Sequence, residues 1–228
     1  MSELPKRVHL MEVGPRDGLQ IEPKVLATAE KLDLLDMIAD AGISEIEVGS
    51  FVNPKAVPQM ADTAAVFAGL KRRPGVTYRA LWLNPKGLER ALETKAIDID
   101  GRVHVTASEI FVKRNTNRSI EETFQQLPEW IALYKAAGVS VDSVGLMATF
   151  GCNFEGDVPL ARVLSLLART DEIMRALELR KGSIDMVVND LSPDVIHQLA
   201  AEKSVTIAES PGTDYAYIGL NARDPVLS

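Results

Sequence analysis

The sequence holds one cysteine, Cys152, among its 228 residues, so no internal disulfide framework supports the fold and a reducing compartment suits it. Aromatic residues are scarce at 5%, which points to a core built mainly from aliphatic side chains within an apolar share of 46%. Basic charge is also short. Lys and Arg number 25 against 32 Asp and Glu, the net charge is −7, and the longest basic run is Lys71-Arg72-Arg73. Nucleic acid and membrane surfaces are therefore not expected partners, and an anionic substrate would have to be met by local Arg and Lys. No apolar run approaches the roughly 18 residues of a membrane-spanning helix. No apolar leader precedes the first strand-like segment, so a cytoplasmic location is expected. Histidine is limited to His9, His104 and His197, which are widely separated.

What the chain does contain is an alternation of β-branched runs and longer amphipathic ones. Strands are expected over residues 8–13, 45–49, 77–83, 102–106 and 142–147. Residues 24–40 place Val25, Leu32, Leu35 and Ile38 near helical spacing and stop at Ala41-Gly42. Ser119 and Glu122 form a capping box for a helix that should bury Ile120, Phe124, Leu127 and Ile131. Pro128 inside it should kink it or end its first segment. A further helix from about residue 157 carries Leu160, Val163, Leu164 and Leu167 on one face.

Strand, helix, strand repeated in this way is the pattern of a parallel α/β sheet. Residues 1–176 hold about five βα units of roughly 35 residues each, the spacing of a TIM-type (β/α)8 barrel. Three more units would need on the order of 100 residues, more than residues 177–228 offer. The expected fold is α/β: an incomplete TIM barrel over 1–176, then a small α+β fragment over 177–228. In that fragment Ser192 and Pro193 should open a brief helix, with strands near 184–188, 205–208 and 215–220.

The most informative stretch is Glu12-Val13-Gly14-Pro15-Arg16-Asp17-Gly18-Leu19-Gln20. A strand that stops in a Gly-Pro bend and then exposes a guanidinium beside a carboxylate has the layout of a metal and anion site at the mouth of a parallel sheet. An isolated Arg-Asp dipeptide is more commonly a surface ion pair. Four more segments accompany this one: Glu47-Val48-Gly49-Ser50-Phe51-Val52-Asn53-Pro54-Lys55; Val57-Pro58-Gln59-Met60-Ala61-Asp62; Ala107-Ser108-Glu109 with Lys113-Arg114-Asn115-Thr116-Asn117; and Gly151-Cys152-Asn153-Phe154-Glu155-Gly156. Together they resemble the hydroxymethylglutaryl-CoA lyase family over about residues 8–175. Residues 177–228 resemble a fragment of the peptide-type solute-binding proteins of ABC transporters.

The first resemblance implies metal-dependent cleavage of 3-hydroxy-3-methylglutaryl-CoA to acetyl-CoA and acetoacetate. Such a cleavage needs a divalent cation on the substrate oxygens, a base for the hydroxyl proton, and a cation facing the enolate that forms on the thioester oxygen. By resemblance, Arg16 is that last cation, a rigid fork that stays charged. Asp17 is a ligand to Mg2+ or Mn2+, and Glu47 is the carboxylate that orients Arg16. Gln20 and Ser50 line the pocket. Lys113, Asn115 and Asn117, on a basic polar loop after the fourth strand, meet the CoA phosphates of an acyl-CoA substrate. Two alternatives stay open: another acyl-CoA lyase or aldolase of the same superfamily, and a non-catalytic truncated or fusion product.

Ile21, Gly49 and Ala56 stand where the family commonly has asparagine, threonine and an aromatic. The family's paired His-x-His ligands and its reactive-cysteine loop have no counterpart here. Cys152 lies in a different motif and is given no catalytic role. Activity is expected to be absent or very low, and the open edge where a sixth strand would pair is expected to promote self-association.

Overall fold

The computed structural model describes residues 9–94, 96–182, 186–188, 191, 193–210 and 216–221. The chain divides into two units, residues 1–101 with 125–140, and residues 102–124 with 141–228. Among the described residues no helix is long and apolar enough to cross a membrane.

The first unit runs β1 (Met11–Glu12), a π-helical turn (Gly14–Gly18), α1 (Leu19–Ile21), α2 (Thr28–Asp40), β2 (Glu45–Ser50), a 3-10 turn (Pro58–Met60), α3 (Thr63–Gly69), β3 (Thr77–Leu81) and α4 (Pro85–Leu92). Its three strands pair in parallel in the order β1-β2-β3. β1 is much shorter than the run 8–13 suggests. The Glu12 carboxylate turns back to accept the Gly14 N–H at 2.6 Å, and the backbone is already helical at Val13.

The helix expected from residue 24 begins at Thr28, where the Glu30 carboxylate accepts the Ala27 N–H at 2.7 Å. Val25 is left exposed outside it, and the buried positions of α2 are Leu35 and, unexpectedly, Lys31. The Lys31 ammonium donates to the Gln59 carbonyl at 2.5 Å and to the Asp62 carboxylate, which also accepts from Thr28 Oγ1 at 2.8 Å. The core of this unit is more aromatic than the composition implies, because the few aromatics are concentrated in it. Phe51 stacks on Phe67, and buried Trp82 donates its indole N–H to Tyr134 at 2.7 Å.

The second unit carries β4 (Arg102–Thr106), α5 (Glu109–Thr116), the first turn of α6 (Ile120–Ala136), β5 (Ser143–Met147), α7 (Leu160–Lys181), β6 (Met186–Val188), α8 (Pro193–Ala200), β7 (Val205–Ser210) and β8 (Ala216–Asn221). β4 and β5 pair in parallel, Arg102 opposite Ser143 through Thr106 opposite Met147. β6, β8 and β7 form an antiparallel sheet in that order.

The capping box of α6 is present in both directions: Ser119 N donates to Glu122 Oε2 at 2.7 Å, and Glu122 N donates to Ser119 Oγ at 3.0 Å. The helix continues through Pro128 as one element. Ile120, Phe124 and Leu127 are buried as expected, while Ile131 is only half-buried and Trp130 and Tyr134 take its place.

On α7 the expected apolar face is corrected. Val163 is buried, but Leu160, Leu164 and Leu167 are 70%, 56% and 46% exposed, and the inward positions are Val163, Leu166 and Thr170. α7 also runs unbroken across residues 175–177. Its last turns supply Ala176 and Leu179 to a cluster with Leu199, packed by Leu191, Val195 and Val205. Pro193 opens α8 as the sequence suggests, and Ser192 lies outside the described residues.

Ser108, fully buried, ties this unit together. Its hydroxyl accepts the Phe111 N–H at 3.1 Å as the N-cap of α5 and donates to Glu155 Oε2 at 2.6 Å. Arg162 holds the other oxygen of Glu155 at 2.5 Å. The hydroxyl proton goes to Glu155, so the 3.2 Å contact with Cys152 is one in which the thiol donates. The Ser108 and Arg162 hydrogen bonds hold the Glu155 carboxyl below its usual 4.5. A carboxyl depressed on folding stabilises the protein above the unfolded value, and that stability is lost as pH falls through the folded value. Ser108→Ala removes both a cap and a charge-assisted bond, and is expected to cost about 2–3 kcal/mol at pH 7. It should also flatten the loss of stability below pH 4.5. Urea melts at pH 7 and at acid pH read both.

Candidate active site

The candidate site is built in the first unit where β1 ends, from the turn that follows it and the C-terminal half of β2. The turn is π-helical over Gly14–Gly18, and the Val13 carbonyl before it accepts from both Arg16 N, at 3.0 Å, and Asp17 N, at 2.7 Å. Buried Pro15 fixes its first residues. A Cβ at Gly14 would lie 2.8 Å from Glu12 Oε1, so a larger residue there would have to displace that carboxylate. Single π-helical turns recur at functional sites because they turn consecutive side chains in different directions. Here the turn sends Arg16 toward β2 and leaves Asp17 in solvent.

Arg16 Nε donates to Glu47 Oε2 at 2.5 Å, and Arg16 Nη1 donates to Asp17 Oδ1 at 2.6 Å. The side chains of Arg16 and Glu47 are 18% and 12% exposed, whereas Asp17 is 63% exposed. Burial pushes the Glu47 carboxyl above its usual 4.5, with Asp17 and Asp100 adding to the rise and the Arg16 guanidinium opposing it. An acid raised on folding contributes stability below its unfolded value, and that contribution is lost as pH rises through the folded one. At neutral pH this carboxylate therefore costs stability. It persists as an anchor that fixes the guanidinium.

Gln20 lies half-buried in α1, and Ser50 is fully buried at the end of β2. Ser50 thus shares β2 with Glu47, and Gln20 lies in the short helix that directly follows the turn carrying Arg16. Lys113, Asn115 and Asn117 belong to the second unit, and the loop expected there is not a loop. Ser108 caps a helix, so exposed Lys113 and Asn115 sit on α5, and Asn117 ends it in the left-handed conformation at φ 57°. Lys113 Nζ reaches the Asn117 carbonyl at 3.3 Å.

Sequence reasoning missed the charged neighbours on the same face of the sheet. Glu45 pairs with Arg79 at 2.6 Å and with His9 at 2.5 Å, and Arg79 also pairs with Asp100. The signal was available as strand alternation, since Glu45 and Glu47 on β2 lie opposite Thr77 and Arg79 on β3.

A divalent cation of the Mg2+ or Mn2+ kind takes about six oxygen ligands and uses several carboxylates or waters to hold it. Among the described residues no group of three or more His, Cys, Asp or Glu side chains is placed to hold a metal ion. Asp17 offers one carboxylate, and Arg16 holds one of its oxygens. The described donor set does not fit a complete metal site.

A family model described as HMGL-like matches residues 7–199, beyond residue 175, to which the resemblance extends. The mitochondrial hydroxymethylglutaryl-CoA lyase of Macaca fascicularis is 44% identical over 163 residues, which cover 72% of this chain and 49% of that protein. The 3-hydroxy-3-isohexenylglutaryl-CoA/hydroxy-methylglutaryl-CoA lyase of Pseudomonas aeruginosa is 44% identical over 179 residues, 78% of this chain and 58% of that one. A crystal structure of hydroxymethylglutaryl-CoA lyase from Pseudomonas aeruginosa superposes with a TM-score of 0.64 at 42% identity, covering 75% of this chain and 56% of that chain. The chain thus spans about half the length of the curated relatives it matches. With β1-β2-β3 and β4-β5 each paired in parallel and the family model matched over residues 7–199, the chain belongs to the HMGL-like family.

Proposed function

We propose that the first unit carries the enolate-clamp side of an active site for carbon–carbon cleavage of 3-hydroxy-3-methylglutaryl-CoA. The observation that carries this reading is the Arg16–Glu47 pair at 2.5 Å. Among the described residues the guanidinium bonds through Nε and Nη1, which leaves Nη2 for a substrate oxygen. In the reaction the bond between C2 and C3 breaks, and its electron pair moves onto the thioester oxygen of the departing acetyl group. The C3 hydroxyl gives up its proton and becomes the ketone of acetoacetate, and protonation of the enolate at carbon completes acetyl-CoA. Arg16 stabilises the oxyanion, and it does so without reorganising because Glu47 already holds it in place.

The acyl-CoA substrate class is supported by the Pseudomonas relative, whose name specifies two CoA thioesters. Lys113, Asn115 and Asn117 are proposed as contacts for the coenzyme phosphates, and their exposure on and after α5 suits that role. A divalent cation would take Asp17 as one ligand. The chemistry assigned here belongs to Arg16 and Glu47 alone, and the donor set described above leads us to expect turnover at or near background.

Calorimetric titration of the purified chain with 3-hydroxy-3-methylglutaryl-CoA tests the reading. Saturable binding that weakens in Arg16→Gln is expected, and no binding by the wild-type chain would contradict it. Acetyl-CoA release in the presence of Mg2+ or Mn2+ should stay near background. Turnover approaching the roughly 10 s−1 of a typical enzyme, lost in Asp17→Asn and Arg16→Gln, would show that the donor set is complete after all.

A further inference from the structure

One side of α7 meets solvent with uncharged residues alone. Between Leu160 and Ala168 its exposed positions are Leu160, Ala161, Leu164, Ser165, Leu167 and Ala168. Leu160, Leu164 and Leu167 recur at helical spacing, so their side chains form one continuous ridge of about two turns. A solvent-facing helix surface is ordinarily polar, and leucines scattered singly over a surface need no explanation, but a contiguous ridge does.

The other sides of the helix are accounted for. Val163, Leu166 and Thr170 turn inward. Arg162 is tied to Glu155, and Arg169 pairs with Glu121 at 3.0 Å while lying over the Phe124 ring at 3.8 Å. Near the far end Ala176 and Leu179 cluster with Leu199 of α8. Toward that end the ridge is closed by an ion pair, Arg175 to Asp171 at 2.8 Å.

We infer that this ridge is the contact surface for a second copy of the chain, the two α7 helices lying antiparallel across a two-fold axis at Leu164. Charge and fit both name this occupant. Copies that each carry a net charge of −7 repel one another, so contact between them is favoured over a neutral patch, and the ridge is one. In the antiparallel arrangement Leu167 of one copy stands level with Ala161 of the other, and Leu160 with Ala168, so each leucine meets a small residue. The same placement brings the Asp171–Arg175 pair level with the start of the other α7. That start has Pro159 as its N-cap, with neither a side-chain cap nor an acidic residue in its first turn. The Asp171 carboxylate complements the positive end of the helix there, and Arg175 offsets repulsion from Asp157. A two-fold contact repeats each of these interactions twice. A ridge of this length buries less than the roughly 800 Å2 per partner of a stable complex, so the dimer is weak, half-dissociated on the order of tens of micromolar. This surface is distinct from the open strand edge, and the inference does not depend on the function proposed above.

Sedimentation velocity of the full chain from about 1 to about 200 µM should show monomer giving way to dimer. Leu164→Glu, at a solvent-facing position, should stay folded by circular dichroism and remain monomeric over the same range. In a Cys152→Ser background, Leu164→Cys should form a disulfide-linked dimer under a mild oxidant. Asp171→Cys, at least roughly 21 Å from its counterpart by helix rise, should not. A wild-type chain that is monomeric throughout overturns the inference, as would follow if the ridge were covered within one copy. A dimer that persists in Leu164→Glu puts the contact at the strand edge or elsewhere and overturns it too. Equal cross-linking of the Leu164→Cys and Asp171→Cys proteins contradicts the two-fold at Leu164. Should Leu164→Glu fail to fold, the cross-linking comparison decides.

Discussion

Arg16→Ala is expected to weaken binding of an anionic enolate mimic, the thioether carboxymethyl-CoA, by roughly 10- to 100-fold. A hydrogen bond to a charged group contributes about 1.5–3 kcal/mol, and about 1.4 kcal/mol is a factor of ten. Arg16→Lys should recover little, because lysine brings a point charge in place of a fork that bonds Glu47, Asp17 and a ligand at once. The substitution also has a consequence in the free protein. The guanidinium is what opposes the rise of the Glu47 carboxyl, so without it that carboxyl moves further above 4.5. The folded state then holds a proton that the unfolded state has released over a wider span of pH. Stability of Arg16→Ala should consequently fall more steeply than that of the wild-type chain as pH rises from 4.5 toward neutrality. Adding Glu47→Gln to Arg16→Ala should abolish the extra slope. Urea unfolding of the three proteins across that range measures it.

The loop proposed to carry this chemistry was legible because its signal is local: Gly-Pro followed by Arg-Asp, just after an apolar run, with matching segments downstream. Its conformation was not. No pattern of residue types distinguishes the π-helical turn, with the Glu12 carboxylate accepting the Gly14 N–H before it, from an ordinary bend. A bulge at Val48 in β2, where β3 has no matching residue, was equally hidden, since Glu47 and Ser50 read as opposite faces until the register with β3 is known. On α7, Leu160-Leu164-Leu167 and Val163-Leu166-Thr170 are both stripes at helical spacing, and only packing decides which turns inward. Helix α5 is hidden in the sequence because Lys113, Arg114, Asn115 and Asn117 have polar loop composition. The Ser108 cap that starts it is evident once its bond to Phe111 is seen. Strands β2 to β5 were found nearly at their observed limits because β-branched runs bounded by turn residues leave little choice, and β1 alone is much shorter than its run.

Lys31→Ala should be the most destabilising single substitution outside the apolar core. Hydropathy alone would place this lysine on the solvent side of α2, yet its side chain is 6% exposed and its ammonium bonds Asp62 and the Gln59 carbonyl. Taking away one partner of a buried pair leaves the other charge desolvated, which costs about 3–5 kcal/mol. Asp62 is 26% exposed and keeps its bond from Thr28, so a value near the lower end, about 3 kcal/mol, is expected. Against a total of about 5–15 kcal/mol for a typical domain, that is a large share. Lys31→Met with Asp62→Leu removes both charges and should restore most of the loss. The double-mutant cycle by urea denaturation checks this, and additive effects of the two changes would contradict it. The pair also ties α2 to the segment after β2.

Arg16 is proposed as a cation preset for an oxyanion, and the most direct test is how the wild-type chain discriminates between two coenzyme A derivatives of nearly equal size. Acetyl-CoA presents a neutral thioester, and carboxymethyl-CoA presents a negative charge where the enolate oxygen would form. Titration calorimetry at constant ionic strength should show the anionic compound bound at least roughly tenfold more tightly, the size expected of one charge-assisted bond. Equal affinities, or a preference for acetyl-CoA, would mean that the Arg16–Glu47 pair does not face the reacting oxygen.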